Sequence, residues 1–341
     1  MKRLRHSSLA VTFATVALLA GNVHATPITQ ARTIQNVDWC SAGVGGIGSV
    51  GTGTIDLSCA SGTVTAAYLY WHGINNSGTG ATYDNATVDF DGNSVTGVSL
   101  GDASTNCWGS GSSRAYEANV TSLVSGNGSY AISGLAAAAG NSANGASLVV
   151  VFNDGNSTNN RDLVFFTGND SNFIENFPGE DAGWNASLAG INYGGGAVGM
   201  QLHVGDGQSA GDGTLNLTTV NGALAIPDSS SLYDGNSVPD EGNSRSSAGS
   251  LWDVHDFDIT SAFGAVPGSV TLNLSGMESA SDCLGLVAAL MDLEPGSAPP
   301  PGPPPPPPSL EYVPVPTLSE FGLLLMVLLL SGVALLKIRR D

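Results

Sequence analysis

Apolar residues in this chain recur in short strand-like runs separated by turn formers, and no long amphipathic helix interrupts them. Val64, Ala66, Tyr68 and Tyr70 alternate with Thr65, Ala67, Leu69 and Trp71. Val198, Met200, Leu202 and Val204 alternate with Gly199, Gln201 and His203, and Val270, Leu272 and Leu274 with Thr271 and Asn273. A period of two places one set on a core face and the other outward. Leu148 to Phe152 and Leu163 to Phe166 are continuous apolar runs, expected to be central strands buried on both faces. The polar stretch between them, Asn153 to Asn160, suits a hairpin turn. Leu284 to Leu293 reads as a closing strand, with helix as the alternative, and Ala136 to Ala139 as a helical turn limited by flanking Gly. The expected fold class is all-β, an antiparallel β-sandwich, either one elaborated sandwich or two in tandem, followed by a C-terminal transmembrane helix.

Composition agrees. Gly reaches 46 and Asp outnumbers Glu, 21 to 8, which favours turns over helix. Between Thr26 and Leu310 stand 26 acidic residues and four basic ones, Arg32, Arg114, Arg161 and Arg245, a balance of −22. Nucleic acid is excluded as a partner, because phosphate neutralisation needs clustered Lys and Arg. No lysine occurs between Lys2 and Lys337, so Schiff-base chemistry and Lys–Asn crosslinks are excluded from this region too. The anionic surface favours solubility and attracts divalent cations.

The two ends carry signals of their own. Residues 1–25 form an expected signal peptide: Lys2, Arg3 and Arg5, an apolar stretch from Leu9 to Ala20, and the small-residue site Val23-His24-Ala25. It would hand the chain to the Sec export machinery. Domain limits follow as 26–294 for the extracellular domain, 295–314 for a Pro-rich linker and 315–341 for a terminal segment. The tract Pro299 to Pro308 would be a polyproline rod of about 30 Å, a stalk holding the domain clear of a membrane. From Phe321 to Leu336 runs an apolar stretch 16 residues long. It makes about 24 Å of helix against a hydrocarbon core of about 30 Å, with Lys337, Arg339 and Arg340 able to snorkel on the cytoplasmic side.

Val315, Pro316, Thr317, Leu318, Phe321 and Gly322, followed by that span and the basic end, resemble the IPTL-CTERM class of bacterial sorting signals, relatives of PEP-CTERM. Val315 stands where the class has Ile and Phe321 where it has Trp. The resemblance implies a Gram-negative cell, recognition of Val315 to Gly322 by an exosortase, and removal of the span. The precursor would be anchored in the inner membrane, and the mature form would reach the envelope surface or the exterior. The phrases Ala66 to Trp71, Tyr116 to Val124, Gly145 to Phe152 and Gly205-Asp206-Gly207 resemble an uncharacterised β-rich module of bacterial surface proteins, often set ahead of adhesin-like repeats. That module brings no catalytic residues with it.

Cys40, Cys59, Cys107 and Cys283 allow three pairings once exported; Cys40–Cys59 and Cys107–Cys283 are favoured. No Cys-x-x-Cys pair supports zinc. Asp253, Asp256 and Asp258, with Asp206 and Asp212 in a Gly-rich loop, are the candidate calcium ligands, since hard carboxylate oxygens suit that ion; no other cofactor is expected. Gly43 to Gly48 fits G-x-G-x-x-G without the strand, helix and acidic residue of a dinucleotide site, and reads as a flexible loop. Five tryptophans, Trp39, Trp71, Trp108, Trp184 and Trp252, would stack on sugars if they lie on loops. Trp71 sits in a strand, whereas Trp108 and Trp184 lie in Gly-rich contexts and are the candidate ligand contacts. Three functional readings follow: a non-enzymatic, adhesin-like surface or matrix protein sorted by an exosortase; a module binding exopolysaccharide, conditionally with calcium; and a secreted hydrolase, for which no G-x-S-x-G elbow is present.

Overall fold

Everything in the fold turns on β1 (Thr26–Gly45), a 20-residue strand with two different partners. The computed structural model describes residues 26–299 apart from 49, 76–84, 104–111, 136, 139–140, 172–182, 209–210, 212, 228–231, 236–250 and 278–281. As far as Val37, β1 pairs with β11 (Arg161–Ser171); from Asp38 it pairs with β10 (Asn141–Asn153). Beyond β11 the sheet continues through β18 (Gly285–Leu293), β13 (Gly199–Gly205) and the edge strand β16 (Trp252–Asp258). Beyond β10 it continues through β3 (Thr63–Asn75), β7 (Ser112–Asn119) and β6 (Val98–Ala103), with the two-residue β9 (Ala137–Ala138) also on β10. This 10-stranded sheet is accompanied by two smaller ones. One is ordered β12 (Trp184–Tyr193), β17 (Gly268–Gly276), β14 (Leu215–Thr219), β15 (Gly222–Ile226); the other β2 (Gly53–Leu57), β8 (Gly128–Ser133), β4 (Thr87–Phe90), β5 (Asn93–Thr96). The pairings in all three sheets are antiparallel.

Three apolar clusters show how the sheets are layered. Leu188, Leu217 and Leu272 of the first small sheet pack on Val164, Leu202 and Leu286 of the β11 half of the long sheet. Ile55, Phe90 and Ile132 of the second small sheet pack on Leu69, Leu148 and Val150 of the β10 half. The third cluster draws on neither small sheet: Tyr70, Val149 and Val151 from one half of the long sheet meet Leu163, Phe165 and Leu290 from the other. The long sheet therefore folds over at β1, its halves face each other, and each half is covered outside by a small sheet. The bend falls beside Asn36, which has φ 55°.

This layering explains where the sequence pattern misleads. In β3 both alternating sets are covered: Ala67, Leu69 and Trp71 are buried in one core, and Tyr70, with the half-buried Ala66 and Tyr68, packs against another, so neither set faces outward as expected. The expectation of doubly buried strands at 148–152 and 163–166 holds, since nine residues from Leu148 to Phe152 and Leu163 to Phe166 are at most 6% exposed. They are not a hairpin, however, because β1 lies hydrogen-bonded between β10 and β11. The connecting loop is held instead by its own side chains: Asn153, Asp154 and Asn156 accept from the backbone N–H of Gly155, Asn156 and Thr158 at 2.8, 2.6 and 3.2 Å. Leu284 to Leu293 is a strand, but a central one between β13 and β11. Around Ala137 the chain pairs with β10 rather than forming a helical turn. Gly43 to Gly45 close β1, and Ile47 is 1% exposed, so this part of the glycine-rich stretch is strand and packed turn rather than a flexible loop.

Among the described residues no helix is long and apolar enough to cross a membrane. The last described segment is tied down by Asp162, which is fully buried. Its carboxylate accepts from the backbone N–H of Asn36 at 2.9 Å, Gly296 at 2.8 Å and Ala298 at 3.1 Å. One side chain thus fastens the β1 bend and the exit of the chain toward the proline tract.

Candidate functional site

Two features stand out, one buried and one open. The buried one lies between the two halves of the long sheet. Residues of β13 that would face outward in a simple sandwich, Gln201 and His203, point into this layer. His203 sits 2.6 Å from the Ser147 hydroxyl through Nδ1 and 2.9 Å from Gln201 Oε1 through Nε2. Gln201 Oε1 also accepts from Ser41 at 2.7 Å, and Gln201 Nε2 donates to Asp256 at 2.9 Å. A carbonyl oxygen can only accept, so His203 carries its proton on Nε2 and Nδ1 accepts from Ser147. Burial lowers the His203 pKa from 6.5 to about 3. A second buried histidine, His72, lies 2.6 Å from Asn144 Oδ1, and Asn144 donates to Asp206 at 3.1 Å. Burial lowers His72 to about 4, although hydrogen bonds from Asn144 and Asn169 work against it.

The Ser147–His203 contact has the elements of an activated hydroxyl. Both residues are fully buried in mid-strand, and a histidine of pKa about 3 is a weak base near neutral pH. We read the network as polar packing that fixes the register of the facing halves.

The open feature lies at the end of the molecule where β1, β11, β13, β16 and β18 meet. Trp39 of β1 is half-buried and donates from Nε1 to Asp292 Oδ2 of β18 at 3.4 Å. Asp292 also pairs with Arg161, the first residue of β11, at 3.0 Å, and Arg161 reaches Glu294 at 2.6 Å. Burial alone would lower the Arg161 pKa, but Asp292 and Glu294 outweigh it and raise it. Two clefts adjoin here and share Trp39, Arg161 and Asp292. One, of about 370 Å³, runs past Val198, Phe257, Asp256 and Asp258. The other, of about 320 Å³, runs past Asp38, Ser61, Asp154 and Asn159.

The sequence-predicted residues are distributed as follows. Trp184 is fully buried, edge-on to Tyr233 with centroids 5.7 Å apart, so it is a core residue and not a surface platform. Trp71 is core as expected, its Nε1 donating to Asn85 at 2.8 Å, and Trp252 is buried as well. Trp108 lies outside the described residues. Of the proposed calcium ligands, Asp253 is buried and accepts from the backbone of Gly235, and Asp206 follows β13 with φ 72°. Asp256 and Asp258 stand toward the other end of β16, opposite Gln201 and Gly199, and are exposed. Three residues along a strand is about 10 Å, with a change of face, so the structure does not bring Asp253 together with Asp256 and Asp258. Asp212 lies outside the described residues, and among those described no three His, Cys, Asp or Glu side chains converge as a metal would require.

Cys40 and Cys59 form a disulfide with Cα atoms 6.1 Å apart. Cys283 is also disulfide-bonded, and its expected partner Cys107 lies outside the described residues. So do residues 1–25, the expected signal peptide, and Val315, Pro316, Thr317, Leu318, Phe321 and Gly322. Trp39, central to the open site, was one tryptophan among five in the sequence, and no local motif set it apart.

Residues 313–340 match the IPTL-CTERM motif, as the resemblance of the C-terminal segment implied; the match covers no part of the domain described above. No curated protein matches the chain. Among solved structures, similarity is found to that of the Sulfolobus turreted icosahedral virus, at 13% identity over 78% of this chain and 92% of that one, TM-score 0.25. The STIV MCP matches at 12% identity over 81% and 98%, TM-score 0.22, and a peptide-N(4)-(N-acetyl-β-D-glucosaminyl) asparagine amidase at 11% over 81% and 98%, TM-score 0.21. At these TM-scores the likenesses bear on neither fold nor function.

Proposed function

We propose that this is a non-enzymatic, adhesin-like protein of the bacterial surface or extracellular matrix, exported through the inner membrane and released from it by an exosortase. The IPTL-CTERM motif at 313–340 carries the reading. In this reading residues 321–336 are a transient transmembrane helix, and the stalk is the part of the 295–314 linker that follows the segment clasped by Asp162. The layered β-sandwich body is the part delivered outside. Its anionic, lysine-free composition and its disulfides suit an oxidising exterior. Sec machinery and the exosortase are the partners the two ends call for. The test is accessibility: in intact cells, externally added protease or antibody should reach the domain, and deleting residues 315–341 should redirect the protein. Protection from protease in intact cells, with digestion only after lysis of the inner membrane, would count against it.

Binding of exopolysaccharide is the second reading, favoured by the open clefts at Trp39. A secreted hydrolase is the third, and the Ser147–His203 contact offers it little support because both side chains are buried.

A further inference from the structure

We infer that the paired clefts meeting at Trp39 bind a neutral pyranose chain, with Trp39 as the stacking surface and Arg161, Asp256, Asp258 and Asn159 as hydroxyl contacts. The inference rests on the reading of the domain as an exported binding protein and gives it a site and a ligand class.

Three observations converge. Trp39 lines both clefts, so one aromatic side chain borders two neighbouring binding volumes, as a chain ligand running past it requires. Volumes of about 370 and 320 Å³ fall within the range of small-ligand sites, about 300–1,000 Å³. Among Trp39, Trp71, Trp184 and Trp252, only Trp39 is less than fully buried; the other three have no exposed surface to offer a ligand.

The lining chemistry selects the ligand. Asp, Asn, Ser and Arg side chains supply acceptors and donors side by side, which matches vicinal hydroxyls, groups that both donate and accept. The apolar face of a pyranose ring would lie on the indole, an aromatic surface with a polar edge fixed by Asp292. Charge excludes polyanions. Asp38, Asp154, Asp256, Asp258 and Asp292 surround the clefts, so a polyanionic glycan is repelled. Those carboxylates would draw a cationic ligand, because Arg161 is already paired with Asp292 and Glu294, so the hydroxyl-matched lining and the indole, not charge, select a sugar over a cation. A neutral sugar meets no repulsion.

The test uses the full-length protein titrated calorimetrically with cellohexaose, laminarihexaose and mannohexaose, with polygalacturonate and hexalysine as charged counterparts. At least one neutral hexasaccharide should bind. Trp39→Ala should weaken that binding by about tenfold or more, while Trp39→Phe keeps a stacking face and most of the affinity. Because Trp39 also packs against the interlayer core, Asn159→Ala on the exposed loop serves as a second variant, expected to weaken binding several-fold while lowering the thermal midpoint only slightly, since it removes one exposed bond to Asp154. Failure of every neutral hexasaccharide to bind, binding unchanged in both Trp39→Ala and Asn159→Ala, or preference for either charged probe would overturn the inference. None of those results touches export or sorting, which are read at the termini and from location, so the two readings fail separately.

Discussion

Acid should loosen this protein through two buried histidines, and the size of the effect follows from their surroundings. His203 and His72 are fully buried, with pKa values lowered to about 3 and about 4. Unfolded, each would titrate near 6.5. Between those values the unfolded chain binds protons that the folded chain refuses, so stability is complete above about 6.5 and falls as pH drops toward 4. At pH 5, about 1.5 units below the unfolded value and at about 1.4 kcal/mol per unit, each histidine removes about 2 kcal/mol. Asp282 acts in the opposite sense, because burial raises its pKa to about 6 despite the backbone N–H of Cys283 and Gln208. The folded state takes up its proton first, which returns on the order of 1 kcal/mol over the same range. The net loss from pH 7.5 to 5 is therefore about 3 kcal/mol from these three groups. Urea unfolding of wild type and His203→Gln across that range measures it. The variant should be less stable at pH 7.5, because it disturbs the bonds to Ser147 and Gln201, yet lose about 2 kcal/mol less on acidification. Equal pH dependence in the two proteins would refute the placement of His203 as a buried neutral imidazole.

Other expectations rest on single contacts. Asp162→Ala strands three backbone donors and should cost about 3 kcal/mol, with faster amide exchange at Gly296 and Ala298 than in wild type; unchanged exchange there would show that the clasp does not hold the exit segment. Arg32 forms a two-pronged pair with Glu117 and lies over the Tyr68 ring, its centre 4.1 Å from the ring centroid. A double-mutant cycle on Arg32 and Glu117 should give about 1–2 kcal/mol of coupling in this half-buried setting, and a value near zero would mark the pair as incidental. Selective loss of the Cys40–Cys59 bridge, which spans 19 residues, should cost about 3 kcal/mol by Cys40→Ser/Cys59→Ser denaturation.

Much of the body was legible as strands because its core residues are aliphatic and densely patterned, as in Leu148 to Phe152. Which face each residue would meet was not legible. Period-two alternation in β3 is the same whether the second face meets water or another sheet, and here it meets another sheet. The first part of β1 gave no strand signal at all. Ala31, Ile34 and Val37 all pack on the interlayer core yet are spaced by three, because irregularities between Gln30 and Arg32 and between Ile34 and Val37 each add one residue relative to β11. A bulge shifts the phase of a strand, so a repeat of two reads as a repeat of three. The site suffered similarly. Gly-rich neighbours suggested that Trp184 lies on a loop, yet it opens β12 inside the core. The cleft at Trp39 depends on residues up to 253 positions apart, Trp39 and Asp292, which only the sheet order brings together. The sorting segment was readable because its information is local: a short motif, an apolar span and a basic end within 28 residues.

Mass spectrometry of the protein recovered from the envelope and the medium shows whether both ends are cut. The expected product starts near Thr26 and ends close to the Val315–Gly322 motif, without the apolar span, and regains the span when the exosortase is deleted. A chain ending at Asp341 in cells with an active exosortase, found in the cytosol, would contradict export and sorting.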